Sequence, residues 1–544
     1  MAKLSDFTKP FKWLGQHGSA EEPMEVTLVV IAWEPTGYGD APLSKSDIEQ
    51  LFFGATNSVA HWIESASHGR YKIKPHPQHA VLGPYESKYP WPFYWRNATR
   101  AFYDPTTKSW TATRTNPETG AVESNFVMNR LGATAWESNP YKVPPSVDSG
   151  HLYIHPENGL AYYLDNEGFI GGHNHSWAEA IRFAAKDINF AELKTKPGKT
   201  LGLDEAAVIV VKAQTRSGGT SRPASGKDVP KEDLEVDGVI IPEVCELYAG
   251  APRTNADLAT AIEEVIHLIL RYADEYRAPP VRTHIDPERP GQLSLSDAGG
   301  RPVNVGAYFR LKWGWCNPKL ADHNGTYTLN SIETGDDVLI VPSRMAGRGN
   351  EFFLIENRHR GTSYDRFRTG VWGDGLAIWQ IIEDEAFDPN IWARHAVNLR
   401  RSDPTLPATH WLSEGRALFD GADPARSYIL SDSSAPQHLR FEDGVQSGIT
   451  IQDISPAGAT MSLRLHFSTH LKISYYQAAW HRAGRGGLIK IFFEGGGDHS
   501  FHELPRQRFV VMLDMLRNVS PLYYDPNIDG IVSTAEDIGS TEHP

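Results

Sequence analysis

The sequence predicts an α+β protein of several domains, and three observations support that fold class. The runs Val26–Ile31 and Ala206–Lys212 are typical of buried strands. A helical pattern covers roughly 257–276, and short strands separated by turns follow from about residue 325. Because 544 residues are too many for one small core, we expect two to four domains.

The order of these elements divides the chain into four parts. Residues 1–23 are an irregular leader, and residues 24–320 form a domain with a mixed sheet and one long helix. Residues 321–468 are predicted to form an all-β sandwich, because short strands and turns alternate there. Residues 469–544 form a small C-terminal α/β extension with a strand, a Gly-rich turn and a helix.

Three helices are predicted in the large domain. The first covers 44–67 with Ser46 as its N-cap, and the second follows Ser176. The third covers 257–276 and contains no Gly or Pro between Leu258 and Tyr276, so we expect it to run without a break. The stretch 75–156 is rich in Trp, Tyr, Pro and Asn with little periodicity, and we interpret it as long, elaborated loops.

Composition excludes several classes of protein. With 40% hydrophobic and 22% charged residues, the chain is no collagen, coiled coil or largely disordered polypeptide. It carries 53 Lys+Arg against 67 Asp+Glu, a net charge of −14, which argues against a general nucleic-acid-binding protein. No stretch approaches the roughly 18 apolar residues of a membrane helix, so we expect no membrane span.

Cysteine usage and the N-terminus bear on the compartment. Cys245 and Cys316 form either one disulfide or, as we favour, two buried thiols. The chain has no CxxC pair for a cysteine-zinc knuckle. The first residues lack the apolar core of about 7–15 residues that a secretory signal needs. The compartment is therefore open: the protein is cytoplasmic, or it is released by a route without a signal, or a signal was removed.

The most informative motif is Glu263-Glu264-Val265-Ile266-His267. It is one substitution from H-E-x-x-H, in which two imidazoles on one helix face bind zinc and the adjacent Glu activates a water molecule. Glu263 replaces the first imidazole, Glu264 occupies the general-base position and His267 is the second ligand. Alone, this pentamer is a weak signal, because acidic helices produce it by chance.

Further blocks follow one another in a defined order. They comprise Asn57–Val59 with Ser67–Gly69, Trp177 to Phe190 with Val208–Val211, Lys312–Pro318, Glu351–Arg358, and Gly373–Trp379. Together with the zinc-like helix, they resemble the immune-inhibitor-A-like secreted metallopeptidases of bacteria over most of residues 25–468. The resemblance implies a metzincin-like peptidase domain followed by a β-sandwich. It also implies zinc ligands at Glu263, His267 and Asp274, with Glu264 as the base.

The chain departs from the family pattern H-E-x-x-H-x-x-G-x-x-D at several points. Leu270 stands at the Gly, and Asp274 lies one position after the expected Asp. The turn that normally carries a Met corresponds to 294–297 and has none, and Gln380 replaces the His of an I-W-H motif. The usual calcium-type D-x-D-G run is replaced by KTKPGKTLG at 194–202.

Two physical arguments then favour an inactive site. In an unbroken helix Asp274 lies about 10 Å along the axis from His267, too far for both to bind an ion at about 2 Å. In addition, one imidazole and two carboxylates leave a zinc site neutral, whereas two imidazoles and one carboxylate leave it at +1. A neutral site lowers the pKa of bound water less effectively.

Other readings of these residues stay open. Glu263 and His267 can form an i,i+4 pair that Arg271 extends, and Asp274 can be a solvated helix end. Three further groups are candidate ligands. Two of them could bind a metal, namely His173 with His175, and His499 with His502 and Glu503. The third could bind calcium and consists of Asp187, Asn189 and Asp204. Glu356, Asn357 and Arg358 more often fix a domain interface than bind a ligand.

Three functions are therefore considered. The leading one is a pseudopeptidase with a degenerate zinc site and a role in assembly or in binding a protein or peptide. The second is an active zinc endopeptidase, and the third is a structural component that forms a homo-oligomer or larger assembly through 469–544. No cofactor is favoured, although zinc and calcium both remain candidates.

Overall fold

A computed structural model of the chain shows a mixed α+β protein. It describes the following residues: 3–10, 18–36, 42–90, 99–104, 109–115, 122–124, 152–154, 160–163, 173–213, 218–223, 225–227, 232–272, 293–332, 334–343, 350–361, 364–368, 373–383, 397–400, 402, 417–422, 429–431, 439–441, 446–467, 471–480, 486–493, 498–519, 522–525 and 530–532.

The described helices and strands carry the following bounds. The α-helices are α1 Leu4–Phe7, α2 Lys45–Phe53, α3 Val59–Ala66, α4 His173–Ala184, α5 Asn255–Leu270, α6 Ala307–Trp313 and α7 Arg506–Asn518. The strands up to residue 249 are β1 Met24–Thr36, β2 Tyr71–Pro75, β3 Leu82–Pro90, β4 Thr99–Asp104, β5 Ser109–Thr115, β6 Val122–Ser124, β7 Leu152–Ile154, β8 Leu160–Tyr163, β9 Ala206–Ala213, β10 Gly218–Pro223, β11 Ser225–Lys227, β12 Glu232–Val236, β13 Val239–Ile241 and β14 Glu243–Ala249. The later strands are β15 Asn317–Leu320, β16 Gly325–Asn330, β17 Asp337–Pro342, β18 Glu351–Arg358, β19 Gly375–Ile382, β20 Val397–Arg400, β21 Ile449–Gln452, β22 Thr460–Phe467, β23 Leu471–Trp480, β24 Gly487–Phe493, β25 Asp498–Leu504, β26 Tyr523–Asp525 and β27 Gly530–Val532.

The chain divides into two compact units. The first unit comprises 18–272, and the second comprises 1–17 together with 273–544. The predicted boundaries at 320 and 468 therefore both fall inside the second unit. The N-terminal residues join that unit through Phe7, whose ring lies 4.9 Å from the ring of Phe352 and whose carbonyl accepts a hydrogen bond from Lys312.

A mixed sheet organises the first unit, in the order β10-β14-β9-β1-β2, with β3 also paired to β1. Strands β1, β2, β3, β9 and β14 run parallel where they pair, whereas β10 is antiparallel to β14. The apolar runs at 26–31 and 206–211 are buried as expected, because a sheet covered on both faces needs apolar side chains on both. Helix α4 covers one face with Trp177 and Ile181, and α5 packs on β9, β10 and β14.

A capping box at Thr254 and Asp257 fixes the N-terminus of helix α5. Thr254 accepts a hydrogen bond from the amide of Asp257, and Asp257 accepts one in return from the Thr254 amide at 2.7 Å, a reciprocal capping box. The helix ends at Leu270, and Arg271 follows in the left-handed conformation, with φ 53° and ψ 40°. The prediction of an unbroken helix to Tyr276 is therefore wrong. Tertiary contacts of Arg271 and Tyr272 override the helix propensity of this stretch.

The predicted single helix over 44–67 is also wrong, because two helices occupy this stretch. Ser44, rather than Ser46, is the first N-cap and accepts a hydrogen bond from the amide of Asp47 at 3.1 Å. Helix α2 ends before Gly54, and the hydroxyl of Ser58 donates to the Gly54 carbonyl at 2.6 Å while capping α3. Ser58 thus fixes both sides of the break.

Strands occur where the sequence suggested long loops. The stretch 75–156 contains β3 to β7, and β4 to β8 form a sheet in the order β6-β5-β4-β8-β7. The two longest strands of this sheet, Thr99–Asp104 and Ser109–Thr115, are rich in Thr and aromatic residues, which favour strands even when hydrophobic alternation is weak.

Three sheets organise the second unit. Their orders are β15-β17-β18-β19-β20, β16-β22-β21 and β25-β24-β23-β26-β27. Buried side chains from all three belong to one apolar cluster, which includes Leu339, Phe353, Leu463, Ile491 and Phe501. The strands after residue 470 therefore share a core with those of 321–467.

Two sequence expectations concern cysteines and membrane helices. Cys245 and Cys316 are both buried thiols that form no disulfide, so the preference for thiols over a disulfide is confirmed. Among the described helices, none combines the length and apolar character needed to cross a membrane.

Candidate functional site

Helix α5 is buried along most of its length, and its half-buried positions form a stripe. Its core side includes Leu258, Ile262 and Val265, all at most 2% exposed. Glu263, Glu264 and His267 lie on the stripe that is only partly covered. The residues that the motif singled out are thus among those that this helix leaves partly accessible.

Glu263 and His267 face each other one helical turn apart. Oε1 of Glu263 lies 3.7 Å from Nε2 of His267, and the side chains are 22% and 16% exposed. This separation exceeds the usual 2.7–3.2 Å of a hydrogen bond. Two ligand atoms of a tetrahedral zinc ion lie about 3.3 Å apart, given zinc–ligand distances near 2.0–2.1 Å. The pair is therefore compatible with a long ion pair and with a shared cation.

The other imidazole nitrogen of His267 is fixed by the backbone. Nδ1 lies 2.5 Å from the carbonyl oxygen of Tyr272, and the two rings stack with centroids 5.4 Å apart. Since a carbonyl only accepts, Nδ1 carries the hydrogen, and in the neutral ring Nε2 holds the lone pair. Zinc-binding histidines are commonly oriented by such a hydrogen bond from the second nitrogen.

The turn after the helix makes that contact geometrically possible. Arg271 adopts positive φ, and its guanidinium forms a two-point ion pair with Glu243 at the start of β14. The amide of Tyr272 donates to the carbonyl of Ile266 at 3.2 Å, which folds the chain back over the helix end. A helix unbroken to Tyr276 would not place the Tyr272 carbonyl at the His267 ring, because it would continue away from it along the axis.

Glu264 lies against the edge strand β10. A Cβ atom added at Gly219 would lie 2.4 Å from Cγ of Glu264 and 2.9 Å from the carbonyl oxygen of Glu246. Only glycine leaves room for the Glu264 side chain at this point. Sequence reasoning missed Gly219, although the doublet Gly218-Gly219 that opens a strand is a signal of close approach.

The third predicted ligand, Asp274, lies outside the described residues. Glu263 and His267 provide oxygen and nitrogen donors that suit zinc, but two donors do not complete a site. Among the residues that the structure describes, no group of three or more His, Cys, Asp or Glu is arranged to hold a metal ion. The fit to zinc is therefore partial.

Each of the candidate calcium ligands contacts a neighbouring side chain or amide. Asp187 accepts a hydrogen bond from the hydroxyl of Tyr85, and Asn189 caps the short helical turn that follows it. Asp204 pairs with Lys196. Each oxygen donor thus has a local role.

The loop 194–205 is instead organised by Glu205, which sequence reasoning missed. Its carboxylate accepts hydrogen bonds from the amides of Thr195 and Lys196 at 2.5 Å each and from that of Gly202 at 2.8 Å. Burial by itself would raise the pKa of Glu205, but these hydrogen bonds outweigh it and lower the pKa from 4.5 to about 2.

The two histidine candidates on β25 are separated. His499 and His502 lie three residues apart on β25, so their side chains leave opposite faces of the strand. The His499 ring stacks on Tyr524 with centroids 4.4 Å apart. His173 and His175 lie in the first turn of α4.

The strand-end motif at 356–358 belongs to a buried ionic network inside the second unit. Arg358 donates to both oxygens of Asp365, at 2.7 and 2.8 Å, and Glu356 accepts from Arg310 and from the indole of Trp379. Burial would raise the pKa of Asp365, but the guanidinium groups of Arg358 and Arg368 hold it below its usual value. This network joins α6, β18 and the turn at 364–367, which indicates a structural role.

No protein-family model matches the chain, and no curated protein matches it.

Proposed function

We propose that the chain is a metallopeptidase-like protein whose zinc site is degenerate and whose role is to bind a protein or peptide. The single observation that supports this proposal is the pairing of Glu263 with His267. A carboxylate stands where zinc peptidases have an imidazole, and it lies 3.7 Å from the remaining one. A cation held by these groups would keep less positive charge with which to activate water.

We infer the finer fold on the same basis. The mixed sheet with α4 and α5 packed against its strands supports a metzincin-like domain, as the resemblance implies. The sheets β15-β17-β18-β19-β20 and β16-β22-β21, which share one apolar cluster, support the predicted β-sandwich.

The edge strand β10 supports a binding role. It ends the strand order of its sheet and pairs with β14 among the described strands. A sheet edge of this kind can accept an extended peptide as an additional strand, with backbone hydrogen bonds supplying affinity. Glu264 lies beside this strand, so a peptide held there would pass the candidate site.

Metal content and cleavage test the proposal together. Protein purified without chelator is expected to hold well below one zinc ion per chain and to leave unstructured casein intact. Glu264→Gln should change neither result, and Glu235→Gln serves as a control at a half-exposed carboxylate of the same unit. Stoichiometric zinc, together with cleavage that Glu264→Gln abolishes, would overturn the proposal.

An active zinc endopeptidase is the second candidate, and the turn at Arg271 favours it. In the sequence, Asp274 follows Arg271 by three positions, which is the spacing between Gly and Asp in the resembled pattern. A bound zinc ion would supply Lewis acidity. Glu264 would accept a proton from the attacking water molecule, and His267 and Glu263 would act as ligands.

A structural role in an assembly is the third candidate, and it rests on exposed apolar side chains. Of the seven large exposed apolar residues in the described part of the chain, five lie within 469–544, and they are Tyr475, Trp480, Val510, Val511 and Val519. Truncation is a poor test, because strands of this segment belong to the shared core. Light scattering of a Val510→Ser/Val511→Ser variant is the better one: an unchanged oligomeric state would discard contacts through this helix face.

A further inference from the structure

The turn that ends α5 is built without glycine. Arg271 has φ 53° and ψ 40°, a conformation that residues with a Cβ atom disfavour. The resembled zinc pattern has glycine one residue earlier, at the position of Leu270. Other contacts must therefore hold the chain in this conformation.

Glu243 provides those contacts. Both terminal nitrogens of Arg271 donate hydrogen bonds to the two carboxylate oxygens of Glu243, and Nη2 of Arg271 lies 2.5 Å from Oε1 of Glu243. Such a two-point pair fixes the orientation of the guanidinium as well as its position. The two side chains are 24% and 19% exposed, so water screens the pair only in part. Because Glu243 opens β14, the ion pair ties the end of the helix to the sheet.

The Arg271–Glu243 ion pair affects His267 through Tyr272, the residue that follows Arg271. Tyr272 is buried, its amide donates to the Ile266 carbonyl, and its own carbonyl accepts the hydrogen of Nδ1 in His267. That hydrogen bond selects the tautomer in which Nε2 carries the lone pair. The same nitrogen faces Glu263.

We propose that the Arg271–Glu243 ion pair is a positioning clamp that takes the place of a turn glycine and, through the Tyr272 carbonyl, sets the tautomer of His267. Arg271 and Glu243 are positioning residues, since neither supplies a donor atom to the site. The importance of this ion pair for His267 as a metal ligand rests on the proposed function. The clamp itself is a property of the metal-free protein.

Nitrogen-15 NMR of the histidine side chains in metal-free protein at about pH 8 tests the clamp, with the His267 signals assigned by their loss in His267→Gln. Arg271→Ala and Glu243→Gln should shift His267 toward a mixture of tautomers. They should also raise hydrogen exchange at the Tyr272 amide by about tenfold. Arg271→Gly should keep the wild-type tautomer and exchange rate, because glycine accepts positive φ without the clamp.

A matched control is Lys72→Ala, which removes an exposed ion pair with Glu64 in the same unit and should leave His267 unchanged. An unchanged tautomer in Arg271→Ala and Glu243→Gln would overturn the clamp. So would an Arg271→Gly protein that behaves like Arg271→Ala. Since no readout involves zinc or a peptide, failure of the proposed function leaves the clamp testable on its own.

Discussion

Lys194 and Glu205 form a buried ion pair across the loop between α4 and β9, with Nζ 3.2 Å from Oε2 and the side chains 10% and 1% exposed. The resembled family has a calcium-type acidic run in this loop, whereas this chain has lysines. The ammonium of Lys194 and the amides of Thr195, Lys196 and Gly202 stabilise the Glu205 carboxylate.

Glu205→Gln is expected to lower the free energy of unfolding by about 3 kcal/mol at pH 7, because the folded-state pKa of about 2 lies well below the ordinary 4.5. The sign follows from the depressed pKa. The stabilisation is complete above pH 4.5 and is lost as the pH falls toward 2. Urea unfolding at pH 7 and at pH 3 measures both effects, and the variant should differ less from wild type at the lower pH.

Asp204→Asn is the control for that experiment. Asp204 pairs with Lys196 in the same loop, but the two side chains are 47% and 58% exposed. An exposed pair contributes about 0–1 kcal/mol. Equal losses of unfolding free energy in the two variants would show that the buried hydrogen bonds of Glu205 stabilise the fold no more than an exposed ion pair does.

Gly219→Ala should displace Glu264 from β10. The new methyl group would lie 2.4 Å from Cγ of Glu264 and 2.9 Å from the Glu246 carbonyl, and the backbone oxygen cannot move freely. We expect a loss of about 1–3 kcal/mol in unfolding free energy, measured by urea titration. Gly218→Ala on the same strand is the matched control, since its added methyl would meet only Tyr248 at an ordinary 3.5 Å. Comparable losses at both positions would point to the strand rather than to Glu264.

The end of α5 shows where sequence reasoning reached its limit. The approximate start of the helix near Asp257 and the shared helix face of Glu263 and His267 followed from the local sequence pattern. Its end did not, because Leu270 and Arg271 favour helix by propensity. The decisive partner, Glu243, lies 28 residues away in sequence. A contact of that range leaves no local signature.

Some strands could be predicted from local sequence and others could not. Continuous apolar runs identified β1 and β9, and their parallel pairing matches the burial of both faces. The strands of 99–163 were not predicted, because their Thr and aromatic residues lie among prolines and asparagines without clear alternation of apolar and polar residues. Glu205 was equally invisible, since nothing in the sequence distinguishes a carboxylate that collects amide hydrogen bonds from a solvated one.

Asp365→Asn should be among the most destabilising single changes in the second unit. Asp365 is buried, and its charge balances Arg358 and Arg368, which are buried as well. Removing the carboxylate leaves buried positive charge and should cost about 3–5 kcal/mol in urea unfolding. Asp453→Asn is the control, because its ion pair with Arg464 is more than half exposed and should contribute at most about 1 kcal/mol.

The pH dependence of this network has the same sign as that of Glu205. The folded-state pKa of Asp365 is below its ordinary value of 3.8, so its contribution is present above pH 3.8 and is lost as the pH falls further. Loss of stability between pH 7 and pH 5 that Asp365→Asn removes would contradict this assignment.

Glu263→His should bind zinc more tightly than wild type, by about tenfold or more, because it restores two imidazoles four residues apart on one helix face. The observed turn at Arg271 brings the Tyr272 carbonyl to Nδ1 of His267, which leaves Nε2 facing position 263. Competition with a chromophoric chelator on metal-free protein measures the affinity. Glu263→Gln is the matched control, since it removes the same charge without adding an imidazole. If Glu263→His and Glu263→Gln bind zinc equally well, the orientation of His267 toward residue 263 does not create a metal-binding geometry, and the helix stripe is a structural ion pair.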